Sequence, residues 1–196
     1  MKESIRARLK QAAAHLGEAP LPEPPAPLQL SPEEALALFA RRFAESGGSV
    51  ELAGSAKDLR ARILAHCQGL PGVAISPLLP ARLRPELPEL PPEQAPLAIS
   101  VAWAAVAETG TLLLASQEGR RLQLLAPAHL VLVERARVVA SLSILEEVRS
   151  GAALGLHSGP SRSADIGGIT VVGVHGPGQV TALVSSGRRA PGKATG

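Results

Sequence analysis

Between residues 97 and 134 the chain is written as apolar runs, LAISVAWAAVA (97–107), TLLLA (111–115), RLQLLA (121–126) and HLVLVE (129–134), with little alternation of apolar and polar residues. A strand with one face in water alternates with a period of two, whereas a run that is apolar throughout must be covered on both faces. The pattern predicts strands over 97–103, 111–115, 121–126 and 129–134 in a sheet held between helices. Ser116-Gln117-Glu118-Gly119 is the expected turn between the second and third.

The flanking segments fit the same architecture. SPEE (31–34) opens a helix, with Ser31 as N-cap, Pro32 in the first turn and Glu34 as the capping-box partner. Leu36, Phe39, Ala40 and Phe43 follow at helical spacing. SVELAG (49–54) reads as a strand, Ser55 and Asp58 open a second helix that should bury Leu59, Ile63 and Leu64, and GVAIS (72–76) reads as another strand. A helix is expected over 141–150, and strands over 169–177 and 179–186. Helices alternating with strands indicate an α/β layered fold.

Prolines divide the rest. Residues 2–16 form a short amphipathic helix carrying Ile5, Leu9, Ala12, Ala13 and Leu16. Five prolines in GEAPLPEPPAP (17–27) then impose an extended, semi-rigid tether. The expected division is therefore 1–30 as N-terminal helix and linker, 31–187 as the α/β domain and 188–196 as a disordered basic tail. The detached helix can pack on this chain's own body, on a second copy in a homodimer, or on another protein. Seven prolines in 77–96 exclude a regular helix or central strand and predict an irregular excursion.

Composition excludes several functions. Aromatic residues are 2% of the chain, which argues against base stacking, and the net charge of +3 is spread as arginine pairs without a basic stripe. Cys67 is the single cysteine, too few for an intrachain disulfide or the four-thiolate shell of an iron–sulfur cluster, which suits a reducing cytoplasm. His15, His66, His129 and His157 show no ligand spacing, so no metal site is expected. The N-terminal stretch has charges throughout and no signal-peptide core, and LAISVAWAAVA is shorter than the ~18 residues of a membrane-spanning helix.

Three motifs carry candidate chemistry. AETGT (107–111) sets Glu108, Thr109, Gly110 and Thr111 between two expected strands, where Asn-Gly or Asp-Gly would serve a plain hairpin. Glu108 at a strand end can act as nucleophile or general base, or can pair with an arginine to hold the sheet edge. Thr109 and Thr111 can donate to an oxyanion. GPSRSADI (159–166) offers Ser161, Arg162, Ser163 and Asp165 as an anion cradle, or as a capping loop with Arg162 paired to Asp165. GVHGPG (173–178) places His175 among glycines, as a proton carrier or a turn cap.

AETGT, LLAPAHLVLVE (124–134), GPSRSADI and VGVHGP, in this order and spacing, resemble the LUD (lactate-utilisation) domain family over about residues 97–186. The resemblance implies a CoA-transferase-like fold, a three-layer α/β/α domain of the ribose-phosphate isomerase and glucosamine-phosphate deaminase type, with its ligand site at strand ends. It also implies participation in oxidising L-lactate to pyruvate with iron–sulfur partner proteins, this chain carrying no redox cofactor of its own. The alternative is a free-standing CoA-transferase-like or sugar-phosphate isomerase-like enzyme that uses Glu108.

Overall fold

The structure, a computed structural model, describes residues 2–13, 26–147, 153–164, 170–172 and 176–186. Four α-helices lie in that range: α1 (Lys2–Ala13), α2 (Pro32–Glu45), α3 (Ala56–Cys67) and α4 (Arg120–Leu124). The strands are β1 (Ser49–Ala53), β2 (Ala74–Ile75), β3 (Leu97–Val106), β4 (Thr111–Ala115), β5 (Ala128–Glu134), β6 (Val138–Val139), β7 (Leu154–His157), β8 (Arg162–Ala164), β9 (Thr170–Val172) and β10 (Gln179–Ser185).

The main sheet runs β1-β10-β5-β3-β4-β7, with β2 and β6 also pairing with β3. Its first half is parallel: Ser49 pairs with Thr181, Gln179 with Ala128 and Leu97 with Ala128. β3 then changes partners. Beyond Val101 it leaves β5, shifts register between Ala102 and Ala104, and pairs antiparallel with β4, which in turn pairs antiparallel with β7. β8 and β9 form a separate two-stranded ribbon.

Both faces are covered, as the unalternating runs require. On one face α2 buries Leu36, Phe39 and Phe43 against Ala105, Leu112, Val131 and Ala182, with the two phenylalanine rings stacked 5.4 Å apart. On the other, Leu59 and Ile63 of α3 pack with Leu79 and Leu83 of the proline-rich excursion against Ile99, Leu130 and Leu183. Burial on the two faces makes a three-layer α/β/α sandwich.

Both expected helix starts are built as the sequence implies. The Ser31 hydroxyl accepts from the Glu34 N–H while the Glu34 carboxylate accepts from the Ser31 N–H, closing the capping box of α2. Ser55 caps α3 through the Asp58 N–H. Four expectations are corrected. Residues 121–126 are not a strand; the helix α4 occupies most of them, burying Leu122 and Gln123 and exposing Leu124 and Leu125. The helix expected over 141–150 is a 3-10 helix, Leu142–Glu147, in the described part of that segment. Leu64 is exposed, because α3 turns only Leu59, Ile63 and Cys67 into the core. Residues 153–158, to which the sequence assigns no element, contribute β7, and the GPSRSADI segment, read as a loop, contributes β8.

Helix α1 leaves Ile5 and Leu9 more than half exposed. The linker residues 14–25 and the tail from 187 lie outside the described residues. No helix among the described residues is long and apolar enough to cross a membrane.

Candidate functional site

The motif loops meet at the C-terminal end of α2. Gly110 has φ 62°, and a Cβ there would stand 2.6 Å from the Phe43 nitrogen and 2.7 Å from the Arg42 carbonyl carbon. Only glycine lets the AETGT turn lie directly on the helix backbone. Beside it, Thr111 Oγ1 shares a 2.7 Å hydrogen bond with Ser158 Oγ, which ties the start of β4 to the residue after β7.

From Ser158 the chain crosses the end of α2. Gly159, at φ 136°, passes so near that a Cβ would meet the Ser46 carbonyl oxygen at 2.9 Å. The Ser161 N–H donates to the Pro177 carbonyl at 2.8 Å, and the bare Cα of Gly176 faces the Ser161 side chain. The Arg162 guanidinium lies over Gly47 so tightly that any Cβ on Gly47 would collide with it. A cation at this place faces the negative end of the α2 dipole. The residue is nevertheless exposed.

The structure thus brings together Gly110, Thr111, Ser161 and Arg162 around residues 42–47, with Thr109 exposed at the rim. Glu108 has a different set of contacts. Its Oε1 accepts from Ser141 Oγ at 3.0 Å and from the Leu142 N–H at 2.5 Å, and its own N–H donates to the Ala140 carbonyl at 3.0 Å. It therefore caps the 142–147 helix, satisfying an N–H that the helix leaves without an internal acceptor. Ser163 is paired through its backbone with Val171 in the β8–β9 ribbon. Asp165 and His175 lie outside the described residues. Among the described residues no three His, Cys, Asp or Glu side chains gather to hold a metal ion.

Along the β3–β5 pairing lies a polar cluster that the sequence reading missed. Ser76, Ser100, Glu118, Gln123 and His129 are all buried. Glu118 Oε1 accepts the Val101 N–H at 2.7 Å, at the point where β3 gives up β5 as its partner. Burial pushes the Glu118 carboxyl toward its protonated form, outweighing the opposing influence of Val101 and the side chains of Ser76, Ser100 and Gln123. His129 Nε2 shares a 2.8 Å hydrogen bond with Ser100 Oγ. Burial first, and then the charge on His157, bring His129 down to about 3. Glu118 Oε2 and His129 Nδ1 have no hydrogen-bond partner of good geometry among the described residues. The signal was a histidine and a glutamate bordering apolar runs, but the partners are spread from residue 76 to residue 129.

Comparison with known proteins shows what the chain is similar to. The LUD domain matches residues 92–184, a span that contains the AETGT and GPSR loops. The lactate utilization protein C of Deinococcus radiodurans is 30% identical over 181 residues, 84% of this chain and 85% of that protein. The lactate utilization protein C of Geobacillus thermodenitrificans is 35% identical over 107 residues, 49% of this chain. The match spans a little under half, 45%, of that relative's length. Among solved structures, a DUF162 family protein from Deinococcus radiodurans has the same fold, with a TM-score of 0.65 at 22% identity over 81% of this chain and 100% of that one. With one relative matched over most of both chains and the LUD domain laid over its central and C-terminal strands, the protein belongs to the LUD-domain family of lactate utilization protein C.

Proposed function

We propose that the protein serves lactate utilization as a subunit of an L-lactate-oxidising system, and that it binds a small anionic ligand where the AETGT and GPSR loops meet. The name shared by the relatives supports the lactate role. The observation that carries the ligand site is the convergence of Thr111, Ser158, Ser161 and Arg162 on the end of α2, packed so closely that a Cβ at 110 or 159 would meet backbone of residues 42–46. Arg162 would grip a carboxylate through its planar fork, and the hydroxyls and turn N–H groups would supply further donors.

Electrons from lactate need a redox centre, so iron–sulfur partner proteins are part of this reading, with the exposed Ile5 and Leu9 of α1 as an apolar face for docking. Glu108 is assigned to the frame of the site, since its Oε1 is spent on capping the 142–147 helix. That weakens the alternative of a free-standing enzyme with Glu108 as nucleophile.

Lactate-dependent dye reduction by the candidate iron–sulfur partners, with and without this chain, tests the proposal. Activity should require the chain and should fall sharply with Arg162→Ala. Full activity without the chain would overturn the subunit reading, and full activity with Arg162→Ala would overturn the site.

A further inference from the structure

We propose, resting on the partner reading above, that α1 docks into an apolar groove of the iron–sulfur partner whose rims carry carboxylates.

A helix of 12 residues is marginal in water unless a surface holds it. The body of this chain does not hold α1: every side chain from Ile5 to Ala13 is exposed, and the sheet is covered on both faces without them. At about 3.6 residues per turn, Ile5, Leu9, Ala12 and Ala13 share one face of α1. Arg8 borders that face beside Ala12, and Arg6 borders it on the other side, beside Ala13. An apolar stripe between two cationic edges suits a groove, with the stripe inside and the guanidinium groups at the rims.

Charge decides the kind of partner. Between Ile5 and Ala13 stand Arg6, Arg8 and Lys10 and no acidic residue, a surplus equal to the net charge of +3 of the whole chain. Among the described residues no carboxylate forms an ion pair with any of the three. The body has few to offer, since Glu33, Glu45, Glu86, Glu89, Glu93 and Glu147 on its surface each already face an arginine of the body. A second copy of the chain brings the same occupied glutamates, so complementary charge points to a different protein. An anionic membrane fits less well, because binding by a surface helix grows with the apolar area it buries, and Ile5 and Leu9 are the only large apolar side chains of α1. In the groove the arginines steer the encounter, and burial of Ile5 and Leu9 sets its lifetime.

The test is binding of the full chain to each candidate iron–sulfur partner, read by calorimetry at about 0.05 and 0.5 M salt. Leu9→Asp should weaken binding by about 10-fold or more. Arg6→Glu with Arg8→Glu should do the same and lose most of the salt dependence, while Arg6→Lys with Arg8→Lys should bind as wild type. The charge-matched reversal Lys57→Glu with Arg120→Glu, at exposed positions on the body, should change little. All these residues lie outside the core, so urea unfolding should stay as in wild type. Amide hydrogen exchange of α1 should be fast in the free chain and slowed by the partner. A partner that binds wild type and the α1 variants alike, or that responds equally to the body reversal, would overturn the inference and leave the partner reading standing. Failure of every candidate partner to bind any form of the chain would overturn the partner reading and the inference together. Three other occupants would each overturn the inference alone. Protection of α1 in the free chain that Leu9→Asp removes would place it on its own body, and a dimer in sedimentation equilibrium that Leu9→Asp dissociates would place it on a second copy. Binding to phosphatidylserine–phosphatidylcholine vesicles at about 0.15 M salt, with the partners indifferent to the α1 variants, would place it on a membrane.

Discussion

Replacing Gly110 by alanine separates two physical effects that the structure puts at one position. The residue has φ 62°, and its missing Cβ would be 2.6 Å from the Phe43 nitrogen and 2.7 Å from the Arg42 carbonyl carbon. Left-handed backbone costs an L-residue about 1–2 kcal/mol. Forcing a methyl group against helix backbone, which cannot swing aside as a side chain does, adds about 1–3 kcal/mol. Gly69 provides the control, with φ 75° and nothing within 4 Å of the same methyl group. Both variants also restrict the unfolded chain, by a similar ~0.4–1 kcal/mol. Gly110→Ala should therefore be less stable than Gly69→Ala by about 1–3 kcal/mol, several degrees in Tm for a chain of this size. Urea unfolding of the two variants beside wild type gives the comparison directly. Equal losses would show that the AETGT turn does not rest on α2, and the convergence of the motif loops would go with it.

Ser31→Ala should cost about 1 kcal/mol in urea unfolding by opening the capping box of α2, and no loss would mean the box contributes nothing. Thr111→Val and Ser158→Ala should couple by about 1 kcal/mol in a double-mutant cycle through their 2.7 Å bond; additive losses would contradict the bond. Stability should also depend on pH through His129, whose folded form is brought down to about 3, far below its unfolded value. Its contribution is complete above the unfolded pKa and is lost as pH falls toward the folded one, by up to about 1.4 kcal/mol per pH unit. Glu118, with its proton held more tightly when folded, works in the opposite direction at the acid end. The acid slope should flatten in His129→Asn, and an unchanged slope would refute the burial argument.

What the sequence reveals here is what depends on near neighbours. The caps at Ser31 and Ser55 act over three residues, and the apolar runs at 97–106, 111–115 and 128–134 become central strands because any covering layer suits them. The AETGT turn is legible for the same reason. RLQLLA misleads because five residues of α4 are too few to show a helical period, and its apolar Leu124 and Leu125 face solvent while Gln123 is buried. The 142–147 segment takes its cap from Glu108, more than thirty residues away, so no local pattern announces it. Leu64 faces a surface hollow of about 370 Å³ that it shares with Gln68 and Leu87, a feature formed only when the proline-rich excursion folds back over α3. Of the candidate site residues, Gly110, Thr111, Ser161 and Arg162 are brought together, whereas the Glu118–Ser100–His129 file depends on pairings that only the folded sheet creates.

The pairing of β1 with β10 sets an order for synthesis. β1 lies at one end of the strand order and, among the described strands, pairs with β10 alone, Ser49 opposite Thr181 and Ala53 opposite Ser185. A ribosome extends the chain at about 5–20 residues per second, so some 130 residues separate β1 from its partner by roughly 6–26 seconds of elongation. Throughout that interval the backbone donors and acceptors of β1 have no place in the sheet, while the short-range β3–β4 hairpin can already close. The nascent protein thus carries an open strand edge next to an amphipathic α2, the kind of surface that chaperones shield.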